Sequence, residues 1–162
     1  PGLYAVHGGA GVWAELKLGE PPDDRPLYVG KSESSVLARD IRQHFETGRT
    51  GSSTLRRSLA ALLAPEHHLR AQPRNPAKPG YFSNYGLEPA SDAWLTDWMT
   101  RNLELAFWIP SSPVVLRAVE QRVVAQLQPP LNLEGVVTPW KRDVSMARRS
   151  LADMARRWQP DT

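Results

Sequence analysis

Two short runs, Gly2-Leu3-Tyr4-Ala5-Val6-His7 and Pro26-Leu27-Tyr28-Val29-Gly30, decide how this chain is read. Both are rich in aliphatic and aromatic residues and are bounded by turn-forming sequence, which predicts two short β-strands, each carrying one tyrosine. Lys31 follows the second directly. The segment between them holds Gly8-Gly9, a helical stretch over Trp13–Leu18 and the loop Glu20-Pro21-Pro22-Asp23-Asp24, so the connection is an elaborated hairpin. A third strand is predicted over Leu103–Ile109.

Helical periodicity fills much of the remainder. Ser34-Ser35 opens a helix whose Leu37, Ile41 and Phe45 recur every four residues, and Gly48 ends it. A second helix follows Ser52-Ser53, carries Leu55, Leu59, Leu62 and Leu63, and stops at Pro65. Residues 65–90 hold five prolines, the pair His67-His68 and several basic residues, and read as irregular. Ser91-Asp92 caps a helix through about Arg101. Ser112-Pro113 starts another that runs to about Gln128. The last helix spans roughly Trp140 to Trp158.

The bulk composition excludes several classes of protein. With 162 residues, 41% hydrophobic and 23% charged, one core is the expectation. A net charge of +3 permits nucleic-acid binding without demonstrating it. The absence of cysteine excludes disulfides and thiolate metal sites and fits a reducing compartment. No apolar run approaches 18 residues, so no membrane span is expected. No basic-then-apolar leader opens the sequence. A cytoplasmic protein is the resulting expectation.

Glu120 is the most informative single residue. Leu116, Val119, Val123, Val124 and Leu127 form one apolar arc of a helical wheel, and Glu120 falls inside it. A carboxylate facing a core must be paired or bind a metal. It is either half of an ion pair with an arginine or a ligand for a hard cation, which prefers carboxylate oxygen. Asn132 stands twelve residues on, beyond Pro129-Pro130-Leu131, and is on its own equally a turn residue.

In this order, the Gly-Leu-Tyr and Tyr-Val-Gly-Lys strands, Glu120 and Asn132 resemble the GIY-YIG nuclease family. The resemblance covers Gly2 to about Leu63 and Leu103 to Asn132. It implies an α/β (α+β) fold, a small three-stranded antiparallel sheet flanked by helices. That gives one domain over 1–162, with an insertion at 65–102 and a C-terminal helix over 139–158. It implies hydrolysis of DNA phosphodiester bonds with one Mg2+ or Mn2+ held by Glu120. Tyr4 and Tyr28 would contact the attacking water and the phosphate, Gly30 would let backbone approach the phosphate, and Lys31 would assist the water or the first tyrosine. His44, followed by Phe45, matches the family's histidine-or-tyrosine slot. The catalytic arginine usually lies four residues before that slot, but Asp40 stands there. Arg39 is the assignment, with Arg42 as its rival for a phosphate contact. Tyr4 and Tyr28 are 24 residues apart, where about ten is common in the family.

Two regions outside this core carry positive charge. Arg142, Arg149 and Arg156 recur every seven residues on the last helix, opposite Val144, Ala147, Leu151, Met154 and Trp158. The stripe is either a solvated face or a track for DNA phosphates. The insertion mixes Arg70, Arg74 and Lys78 with Tyr81, Phe82 and Tyr85, a pattern of loop packing or of stacking on nucleic acid. The leading expectation is a metal-dependent DNA endonuclease. The alternative is a nucleic-acid-binding or partner-binding module on a catalytically weak nuclease fold, which the irregular arginine spacing favours.

Overall fold

Along the chain run β1 (Gly2–His7), α1 (Ala10–Glu15), β2 (Tyr28–Ser32), α2 (Thr54–His67), β3 (Ala71–Gln72), β4 (Gly86–Leu87), α3 (Pro89–Asn102), β5 (Glu104–Trp108), α4 (Leu116–Leu127) and α5 (Lys141–Arg157). This computed structural model describes residues 1–33, 41 and 44–160. The chain divides into two compact units, Pro1–Gln43 with Asn102–Lys141, and His44–Arg101 with Arg142–Thr162.

The first unit is built on a three-stranded sheet of order β2-β1-β5, with β1 antiparallel to both neighbours. Side chains alternate between faces along each strand. The register opposes Ala5 to Val29 and to Ala106, and Tyr4 to Gly30 and to Phe107. Ala5 and Val29 therefore share one face, and Val123, Val124 and Leu127 of α4 pack there with Val136. Tyr4, Val6, Tyr28 and Gly30 share the other. The long β1–β2 connection is anchored by tryptophans. Trp13 is buried and meets Trp140 edge-on at 5.5 Å. Trp140 Nε1 donates to the Leu18 carbonyl at 2.8 Å.

The second unit packs α2, α3 and α5 with a two-stranded β3–β4 ladder. Its core includes Leu55, Leu59, Leu63, Tyr85, Leu95, Met99, Val144, Leu151 and Ala155.

Several elements differ from their sequence-based expectation. The first short helix covers Ala10–Glu15, not Trp13–Leu18, because Gly9 supplies the carbonyl that starts it and Lys17 leaves it at φ 58°. α2 does not stop at Pro65; it runs to His67 and ends on His68 in the left-handed region. A proline so near the C-terminus forfeits one backbone bond without ending the helix, and the left-handed residue is the real stop. α4 begins at Leu116, with Val115 at its cap, rather than at Ser112-Pro113. The Val115 carbonyl accepts from Ala118 and Val119, while 110–114 stay non-helical. The 65–90 segment is not wholly irregular: it contains the β3–β4 ladder and a 3-10 turn at Phe82–Asn84. Asp92 is not a cap. α3 starts at Pro89, and the Asp92 carboxylate turns inward.

No helix among the described residues is long and apolar enough to cross a membrane.

Candidate active site

The two motif strands bring their tyrosines together. Tyr4 and Tyr28 lie diagonally on one sheet face with ring centroids 6.2 Å apart, tilted by 40°. Tyr4 is buried and Tyr28 is half-buried. Gly30 sits directly opposite Tyr4, and a Cβ there would overlap the phenol carbon and hydroxyl of Tyr4. Its lack of a side chain seats the Tyr4 ring, which occupies the space a Cβ would take.

The opposite face gathers the charged groups. Lys31 follows Val29 by two residues and so faces the α4 side. Its Nζ pairs with Glu33 at 2.6 Å. Glu120 lies half-buried on α4 between Leu116 and Val124, the two buried residues of that helix. Burial raises the pKa of its carboxyl. Lys31 and Arg117 oppose the rise, while Glu33 and Glu134 add to it. Among the described residues Glu120 forms no ion pair, so the arginine partner its wheel position allowed is not found there.

Those properties fit one hard cation. Among the described residues no cluster of three or more histidine, aspartate or glutamate side chains could enclose a metal. A single carboxylate completed by waters and a phosphate is the coordination that Mg2+ accepts, and that zinc in a structural site does not.

Asn132 makes a two-point clasp on β2. Its Oδ1 accepts from the Val29 amide at 2.9 Å and its Nδ2 donates to the Val29 carbonyl at 2.9 Å. Leu131 N donates to the Leu27 carbonyl beside it. One donor and one acceptor of the amide thus go to the strand. The clasp goes beyond a simple turn residue, because it ties the segment after Pro129-Pro130 to the edge strand.

His44 belongs to the second unit, where a buried polar network holds it. Its Nδ1 lies 2.8 Å from Ser53 Oγ. Ser53 is the N-cap of α2 and accepts from the Arg56 amide at 3.1 Å. Ser53 is also buried, and its own proton needs an acceptor. The His44 Nδ1 atom lies within hydrogen-bonding distance of that hydroxyl. The His44 carbonyl in turn accepts from Arg56 Nη1 at 2.9 Å.

Arg56 and Asp92 were not legible as a pair in the sequence. Arg56 is fully buried and donates to Thr50 Oγ1, Thr96 Oγ1 and Asp92 Oδ1 at 2.9–3.0 Å. Asp92 also accepts from the Gly48 amide and the Thr50 hydroxyl. Burial pulls the Arg56 pKa down, opposed by Asp92. A wheel of α2 would have flagged Arg56, since Leu59, Ala60 and Leu63 follow it at three, four and seven residues.

Arg39 and Arg42 lie outside the described residues. Arg142, Arg149 and Arg156 are all exposed on α5. Arg156 pairs with Asp153 at 2.5 Å and lies 5.3 Å over the Phe82 ring. The apolar face opposite them buries Val144, Leu151 and Ala155, while Met154 is 37% exposed.

A small antiparallel sheet with paired tyrosines, and a half-buried glutamate on the helix after its third strand, define a nuclease-type catalytic domain. The chain belongs to the GIY-YIG family: the family model described as the GIY-YIG catalytic domain matches residues 19–150. The match begins beyond β1, so it includes Tyr28, Glu120 and Asn132 but not Tyr4. No curated protein and no solved structure gave a significant match.

Proposed function

We propose that this chain is a divalent-metal-dependent endonuclease that hydrolyses phosphodiester bonds in DNA. The observation that carries the reading is Glu120, a carboxylate brought half out of water with no ion-pair partner among the described residues. Such a group is costly unless a cation meets it. Glu120 is the protein ligand for Mg2+ or Mn2+, which when bound supplies positive charge at the phosphate and acidifies water. Tyr28, more exposed than Tyr4, is assigned to the attacking water or the phosphate from the family pattern alone, since its ring lies on the sheet face away from α4. Tyr4 stacks behind it and fixes its ring. Lys31 places a positive charge near the Glu120 carboxylate. His44 and Arg39, with Arg42 as rival, are assigned to the phosphate from the family pattern. Arg142, Arg149 and Arg156 offer non-specific backbone contacts.

The test is nicking of supercoiled plasmid with Mg2+ or Mn2+, with and without chelator, by the parent and by Glu120→Gln. The parent should nick only with metal, and the variant should not nick. Mg2+-dependent nicking by Glu120→Gln would overturn the metal assignment. DNA bound but uncut by the parent with either metal would favour a binding module on this fold.

A further inference from the structure

The loop between β3 and β4 carries three aromatic residues, and the fold uses two of them. Tyr85 is fully buried, and its hydroxyl donates to the Arg57 carbonyl at 2.6 Å. Phe82 is half-buried beneath the Arg156 guanidinium. Tyr81 is different. It is 90% exposed, and its backbone sits at φ 49°, ψ 47°, in the left-handed region. That conformation is strained for a bulky aromatic residue and costs glycine nothing. Burial of the ring gives almost nothing back, because so little of it is covered. Among the described residues it makes no ring contact and its hydroxyl has no hydrogen bond. Strain held at an exposed, unpacked side chain points to an occupant outside the fold.

Tyr81 borders a cavity of about 520 Å3 that Arg74, Lys78, Gly80 and Asn84 also line, with no carboxylate among the lining residues. The stem of Arg74 is wedged against Gly51, where a Cβ would lie 2.5 Å from Arg74 Cγ. Neither Arg74 nor Lys78 forms an ion pair among the described residues. One aromatic face and two cations without counterions therefore converge on one cavity.

We propose that this cavity is a second nucleic-acid site, taking one unpaired nucleotide of a DNA strand outside the cleavage centre. The base stacks on the Tyr81 ring and the flanking phosphates meet Arg74 and Lys78. An acidic peptide would satisfy the cations but leave the ring bare. A duplex keeps its bases stacked on one another and cannot cover the ring either. Stacking on an aromatic side chain accepts any base, so the site selects single-stranded character over sequence. The choice of DNA as ligand rests on the nuclease reading; the test needs neither metal nor cleavage.

The whole chain, in chelator, is titrated into a single-stranded oligonucleotide carrying 2-aminopurine and into the matching duplex. Tyr81→Gly relieves the strained backbone, so it should melt no lower than the parent while binding the single strand about 5- to 150-fold more weakly. Tyr81→Phe should bind like the parent. Arg74→Met with Lys78→Met keeps the aliphatic stems, and should shrink the salt slope by roughly 1.4, about 0.7 per phosphate contact. Unchanged single-strand affinity in Tyr81→Gly overturns the proposal, as does equal loss in Tyr81→Phe. Loss of duplex and single-strand binding by the same factor in Tyr81→Gly overturns the stacking assignment too. A chain that binds in this way but never nicks plasmid would refute the endonuclease reading and leave this site standing.

Discussion

Replacing Asp92 by alanine should cost more stability than any other polar substitution in the second unit. Arg56 is fully buried and Asp92 is 2% exposed, so removing the carboxylate strands a guanidinium where water does not reach it. Breaking a buried pair from one side costs about 3–5 kcal/mol. The Gly48 amide and Thr50 hydroxyl lose their acceptor at the same stroke. For a chain of this size, each kcal/mol moves the melting midpoint by about 2–4 °C, so a fall of roughly 6–20 °C is expected. Urea denaturation followed by tryptophan emission reads it, since α3 carries Trp94 and the buried Trp98. The diagnostic variant is the double replacement Arg56→Met with Asp92→Ala. It removes both charges and leaves none stranded, so it should recover most of the loss. The coupling between the two positions should reach about 2 kcal/mol or more. An Asp92→Ala loss under about 1 kcal/mol, or a double variant as costly as the sum of its parts, refutes the reasoning.

Glu120→Gln should stop cleavage yet stabilise the metal-free fold at neutral pH. A carboxyl whose folded pKa is raised contributes stability that is complete below its unfolded value of 4.5 and lost as pH rises through the folded value. The advantage of glutamine should therefore vanish below about pH 4.5, and paired melts across that range would check it. Gly30→Ala drives a methyl into the Tyr4 ring and should cost about 1–3 kcal/mol, with partial rescue by Tyr4→Leu; a neutral Gly30→Ala in urea would disprove the seating role. Ser53→Ala removes the side chain that caps α2 and should cost about 1 kcal/mol, read by urea denaturation. Asn132→Ala should cost about 1–3 kcal/mol and speed hydrogen exchange at the Val29 amide, which loses its acceptor.

What the sequence made legible follows from what is periodic. The three strands and the helix bearing Glu120 alternate or recur at regular spacing, and their existence could be read to within a few residues. The burial of Glu120 was legible for the same reason, since Leu116, Val123 and Val124 flank it at three and four residues. Element ends were less legible because they depend on backbone geometry: the left-handed His68 outranks Pro65, and the Val115 carbonyl outranks Ser112. Asp92 was misread as a cap because its partner Arg56 lies 36 positions away and only tertiary packing joins them. Gly30 and Asn132 were noticed through the family resemblance, but their contacts are non-local. Tyr4 over Gly30 requires the strand register, and Asn132 on Val29 spans 103 residues. The arginine beside His44 was ambiguous by spacing, since Asp40 stands where the family pattern puts it; Arg39 and Arg42 lie outside the described residues.

The Asn132 clasp bears on how this chain behaves in a crowded solution. β2 is an outermost strand, and its outward Val29 amide and carbonyl are what another chain would need for continuing the sheet. A side-chain amide answers both groups, imitating the peptide of a neighbouring strand while belonging to a turn that cannot be extended. The sheet ends there because its next rung is already filled by something with no rung after it. Alanine at position 132 would turn that terminus into a template, and the defect would appear as self-association before it appeared as unfolding.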